Sequence, residues 1–167
     1  MTLSDLSPAE VGRRLGGDGL AIRTGPLNFR IVSGIQSVAE GLTSLYSDYP
    51  LADDHEFVDF TVTLARSSGL RRWWRPQVEF TYDGQSPFAP LPVDHAFPLL
   101  EWAMNWCIST QAHQYLCLHA AAIEKNGFAA IMPAPPGSGK STLCAGLVSR
   151  GWRLLSDELT LISLTDG

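Results

Sequence analysis

The stretch APPGSGKST, Ala134 to Thr142, decides how this chain is read. It holds one of two lysines in a chain that otherwise takes its positive charge from arginine. Ala134 to Ser141 follows the phosphate-loop spacing: alanine or glycine, four variable residues, Gly-Lys, then serine or threonine. Glycines at 137 and 139 let the backbone turn its N–H groups inward as an anion nest. A helix starting there adds the positive end of its dipole. Lys140 supplies a movable point charge for the outer phosphates, which a planar guanidinium fills poorly. Ser141 places a hydroxyl where Mg²⁺ sits beside bound ATP, and Thr142 can bond a phosphate. Pro135 and Pro136 have no N–H, so the cradle runs from Gly137 through Ser138, Gly139, Lys140 and Ser141 to Thr142. The alternative is a glycine-rich turn that binds nothing.

The motif needs an apolar strand before it and a helix after it. Phe128 to Met132 supplies the strand. Ser141 to Arg150 supplies the helix, with Gly151 as its C-terminal stop. Trp152 to Ser156 then reads as a strand ending in Asp157-Glu158, and Leu159 to Leu164 as one more. Ligands of open α/β sheets bind outside the carboxyl ends of strands. An acid at that place can hold Mg²⁺ or accept a hydroxyl proton. Upstream, Tyr115 to Glu124 is a strand carrying His119, joined to the pre-loop strand through Lys125-Asn126-Gly127. A single histidine on an apolar strand is more often a satisfied core residue than a functional one. His55, His95 and His113 have no metal-site spacing.

Farther upstream the pattern changes. Ser7-Pro8-Ala9-Glu10 is a capping box that opens a helix stopping at Gly16-Gly17. Leu20–Arg23 and Leu27–Val32 form a hairpin, and about 36–47 is a helix. Alternation over Val58–Leu64 and Val78–Tyr82 gives half-buried strands, the second closed by Asp83-Gly84. A proline-rich connector runs from Pro87 to Pro92. Asp94 can cap a helix reaching about His113, with Leu99, Trp102, Ala103, Trp106 and Cys107 as its apolar stripe. Arg71 to Pro76, RRWWRP, could meet phosphate, single-stranded nucleic acid or an acidic peptide. The preferred reading is a strand edge with inward tryptophans covered by the arginines. The expected fold class is thus α/β. An α+β region with antiparallel strands, 1–114, precedes the start of a nucleotide-binding domain, 115–167.

Hydrophobic residues make up 45% and charged residues 17%, an ordinary globular balance. The net charge of -5 argues against general binding to nucleic acid or an anionic membrane. There is no apolar run of membrane-spanning length. The acidic N-terminus lacks the features of a signal peptide. Cys107, Cys117 and Cys144 form no CxxC pair and read as reduced thiols, mostly in the core, so the expected location is cytoplasmic.

The segment LHAAAIEKNGFAAIMPAPPGSGKSTLCAGLVSRGWRLLSDELTLI resembles the catalytic domain of HPr kinase/phosphorylase and its relatives. The order matches: a histidine-bearing strand, a turn, an apolar strand, the loop, a helix ending in Arg-Gly, and a strand closing on paired acids. The chain as a whole looks most like HPr kinase-related kinase A, and phosphoenolpyruvate carboxykinase shares the architecture distantly. The resemblance implies that Gly137 to Thr142 hold the phosphates of ATP, with Ser141 on Mg²⁺. It implies that Asp157 is the catalytic acid/base and that His119 sits near it and tunes it. Glu158 replaces the second aspartate of the usual pair and would contact metal or phosphate. The acceptor would be a serine-type hydroxyl on a protein or peptide, a small molecule staying open, and members are often homo-oligomers. The family's loop lacks the Pro-Pro pair, and its domain continues past the acid-bearing strand. The expectation is therefore a fragment with weak or no kinase activity and an uncovered apolar sheet face. The competing class is a nucleotide-binding module without transfer chemistry.

Overall fold

In the computed structural model, which describes residues 1–53, 55–68, 74–135 and 137–165, the chain is a mixed α/β protein of two compact units, Met1–Met104 and Asn105–Gly167. The division falls inside a helix, ahead of the 114/115 position where the sequence pattern changes.

The first unit is a five-stranded sheet with helices. Helix α1 (Pro8–Gly16) starts as the sequence predicts: the Ser7 side chain accepts from the Glu10 N–H at 3.3 Å, with Pro8 in the first turn. The Glu10 carboxylate takes Arg13 and Arg14 at 3.2 and 3.0 Å. Strands β1 (Leu20–Thr24) and β2 (Leu27–Ser33) form the expected hairpin. Helix α2 (Gln36–Leu45) follows, ending before residue 47. Strands β3 (Phe60–Arg66), β4 (Gln77–Tyr82) and the short β5 (Leu91–Pro92) complete the order β1-β2-β3-β4-β5. Only β2 and β3 pair in parallel; the other pairs are antiparallel. Register puts Ile22, Phe29 and Phe60 on one face, with Ile31 and Val62 beside them and Leu64 opposite Phe80. All seven positions are buried, as are Val11, Leu15, Val38 and Leu42 of the helices. Each fully buried side chain of this size contributes about 1.5–3 kcal/mol relative to exposure.

Helix α3 (Ala96–Gln111) departs from its predicted stripe. Asp94 lies inside a 3-10 turn, Val93–His95, instead of capping the helix. The buried positions are Ala96, Leu99, Leu100, Ala103, Met104 and Cys107, while Trp102 is 54% exposed and Trp106 half-buried. Trp102 stacks its ring on Phe88 at 4.6 Å. The helix is apolar nearly all round, so periodicity could not choose its buried side. The inward packing expected of the RRWWRP tryptophans is corrected at Trp74, which is 91% exposed and precedes β4; Arg71, Arg72 and Trp73 lie outside the described residues.

The second unit is built on β6 (Tyr115–Lys125). A two-residue turn with positive φ at Asn126 (56°) and Gly127 (82°) returns the chain as β7 (Phe128–Pro133). Helix α4 (Lys140–Val148) follows the loop, then β8 (Arg153–Ser156) and β9 (Leu159–Ser163). Strands β7, β8 and β9 all pair antiparallel with β6. Hence β7 and β8 run parallel to each other with β6 between them. The α4 side of the sheet holds Ala121, Ile123 and Cys144, with Ala130, Met132, Leu147 and Trp152 packed against them. Cys107 and Cys144 are buried free thiols, and Cys117 is half-buried.

Strands β8 and β9 are the two strands the sequence predicts, and the structure adds that they share one register. The pairs Ala122↔Ser156 and His119↔Leu159 keep one register along β6. The two strands are one line interrupted at Asp157-Glu158, which fall opposite Ala121 and Ala120. A register shift lies on the other side of Ser156, between Ala122 and Ile123. Two hydroxyls bracket the interruption: Ser156 Oγ donates to the Leu159 carbonyl at 2.6 Å, and buried Thr160 Oγ1 to the Ala120 carbonyl at 2.9 Å. Among the described residues, no helix is long and apolar enough to cross a membrane.

Candidate functional site

The chain leaves β7 at Pro133 and enters α4 at Lys140 through a loop that turns on glycine. Gly137 and Gly139 have φ of 78° and 90°, the left-handed region. A Cβ at either would meet nothing within 4 Å, so the backbone conformation, not crowding, requires glycine. Gly139 is the N-cap of α4 and offers no side-chain acceptor to the first turn. The Ser138 N–H donates to the Pro135 carbonyl at 3.2 Å and closes the turn behind it.

Lys140 folds back on this loop. Its Nζ donates to the Ala134 carbonyl at 2.6 Å and to the Pro135 carbonyl at 3.4 Å. It also lies 3.5 Å from His119 Nε2. That encounter follows from β6: His119 alternates with Ala121 and Ile123, so it shares the α4 side of the sheet. Small side chains at 120, 121 and 122 of β6 permit close approach across the sheet.

One cleft of about 460 Å³ is lined by His119, Gly137 through Thr142, Asp157 and Glu158. The candidate kinase residues named from the sequence therefore line one cleft, although His119, the loop and the acids come from separate elements. The contact of His119 is Lys140, and among the described residues the Asp157 carboxylate has no hydrogen-bond or ion-pair partner, His119 included. Strand alternation carries His119 toward the loop lysine, which sequence order alone did not reveal.

Asn105 is the residue that sequence reading missed. From α3, its Nδ2 donates to Glu158 Oε2 at 3.0 Å. The available signal was a polar side chain interrupting the apolar run WAMNWCI. The oxygen donors of Ser141, Asp157 and Glu158 suit a hard cation such as Mg²⁺, which takes few protein ligands and relies on phosphate and water for the rest. Among the described residues no three His, Cys, Asp or Glu side chains cluster as a metal site.

A larger groove, about 640 Å³, lies in the first unit between α1 and α2. Among the described residues Glu40 is the only charged one lining it, and Gln36 Nε2 donates to Glu40 at 2.7 Å. The smaller cleft, with its ammonium, imidazole, hydroxyls and two carboxylates, is the one equipped for chemistry. Comparison with family models, curated proteins and solved structures gives no match.

Proposed function

We propose that the second unit binds Mg-ATP and passes its γ-phosphoryl group to a serine-type hydroxyl of a small protein or peptide, as an HPr kinase-type enzyme with a P-loop does. One observation carries this reading: a single cleft gathers the loop, its lysine, the histidine and the adjacent acid pair. The N–H groups from Gly137 to Thr142 bind the phosphate oxygens, and Lys140 exchanges its loop carbonyls for the outer phosphates. Ser141 and Glu158 would hold Mg²⁺, which when bound offsets charge on the phosphates. Asp157, its carboxylate without a partner among the described residues, accepts the proton of the acceptor hydroxyl as that oxygen bonds to the γ-phosphorus. The bond to the β-phosphate oxygen breaks, and ADP leaves.

Calorimetric titration with Mg-ATP tests the binding half. The expected result is saturable binding that Lys140→Ala weakens about tenfold or more, the scale of a lost hydrogen bond to a charged group at about 1.5–3 kcal/mol. A folded wild-type chain that gives no binding heat overturns the proposal. Transfer is read with γ-labelled ATP and a serine peptide library. Binding without label transfer favours a nucleotide-binding module, and transfer that survives Asp157→Asn removes the base assignment.

A further inference from the structure

Asp157 and Glu158 are neighbours of like charge at the interruption between β8 and β9, yet their surroundings differ. Glu158 Oε2 receives the Asn105 amide at 3.0 Å. The Asp157 carboxylate has no hydrogen-bond or ion-pair partner among the described residues. We infer that Asn105 is a positioning residue that divides labour between the two acids, fixing Glu158 for the divalent cation and leaving Asp157 to the acceptor hydroxyl. This rests on the kinase reading above.

The chemistry of the donor supports the division. An amide orients a carboxylate through one lone pair and brings no charge of its own. Arginine or lysine in that place would compete with a cation for the same oxygens. Oε1 and the second lone pair of Oε2 stay available for ligation. Residues that orient metal ligands from behind contribute strongly to affinity, typically 10–100-fold. A base has the opposite need, since a carboxylate already saturated with donors accepts a proton poorly. The hydroxyls of Ser156 and Thr160 hold the flanking backbone through the Leu159 and Ala120 carbonyls, so the two acids can differ in partner without the strand shifting.

The test uses the whole chain, Mn²⁺ in place of Mg²⁺, and a non-hydrolysable ATP analogue. Bound Mn²⁺ is read by loss of the free-ion paramagnetic resonance signal, which needs no turnover. The expected result is that Asn105→Ala raises the Mn²⁺ dissociation constant on the order of tenfold. Affinity for the analogue without metal should stay unchanged. Asn105→Ala combined with Glu158→Gln should bind Mn²⁺ no more weakly than Glu158→Gln alone, because the amide acts through that carboxylate. Asn105→Leu, similar in size and without a donor, serves if the alanine variant does not fold. Unchanged Mn²⁺ affinity in the Asn105 variants, or additive losses in the double variant, overturns the inference while analogue binding keeps the kinase reading intact. Failure of the wild-type chain to bind the analogue at all overturns both.

Discussion

In the first unit Phe29, Ile31, Leu64 and Phe80 are all fully buried in a continuous core. In the second, Phe128, Leu143, Leu154 and Leu155 are each about half exposed or more, and the buried run of β6 is Ala120, Ala121, Ala122 and Ile123. The first unit is shaped by the removal of large apolar groups from water. The second is shaped around a loop, with small residues where elements approach and polar groups converging on one cleft. Volume and polarity are thus spent differently: on stability in one unit, on geometry in the other.

The strongest way to break this contrast is a pair of truncations compared by urea unfolding. Phe29→Ala should cost about 3–5 kcal/mol, the scale for emptying a buried phenylalanine site. Leu143→Ala, at a position 53% exposed, should stay within about 0.5 kcal/mol. Equal losses would mean that the second unit relies on its displayed side chains as much as the first does on its core.

A smaller effect sharpens the picture of the first core. A Cβ at Gly41 of α2 would collide with the Phe97 ring, the close approach that makes glycine necessary in mid-helix. Gly41→Ala should cost about 1–3 kcal/mol by overpacking, despite alanine's better helix propensity. A stability gain in thermal unfolding would show that Phe97 gives way freely.

The smallest effect separates the two units by pH and salt. The Gly127 N–H, and then Arg153, hold the Glu124 carboxyl below its ordinary value. In the first unit the Arg23 hydrogen bond comes first for Glu56 and shifts it the same way. A depressed carboxyl contributes stability above its unfolded value, near 4.5, and loses it as pH falls through the folded one. Glu124→Gln and Glu56→Gln should therefore each flatten the fall in stability below about pH 4.5. High salt should screen the Glu56 contribution more than the Glu124 one, since the leading donor to Glu124 is an uncharged N–H. Equal salt responses in acid titrations of the two variants would remove that distinction.

Much of this was legible in the chain, for local reasons. Alternation marked β3 and β4, and Asp83-Gly84 and Asn126-Gly127 fixed tight turns because both residues of each adopt positive φ. The loop was legible because its glycines, lysine and hydroxyls follow from backbone geometry at one place. Three features lay beyond local pattern. The shared register of β8 and β9 depends on β6, which precedes them by the whole of β7 and α4. The buried side of α3 could not be chosen when Trp102 and Trp106 looked as apolar as Leu100 and Met104. The bond between Asn105 and Glu158 joins residues 53 apart in sequence, and nothing near either announces the other.

The interrupted strand also constrains how this sequence can change in length. Its two halves keep step with β6 because two residues, Asp157 and Glu158, stand between them. Side chains along a strand have a parity of two, so losing or gaining a single residue there would turn β9 over. Thr160 would leave the Ala120 carbonyl and trade sides with its neighbours. An odd-numbered indel at this point is therefore expected to turn β9 over unless a bulge absorbs it, as one does beside Ser156, and the paired acids are a unit of spacing as well as of charge.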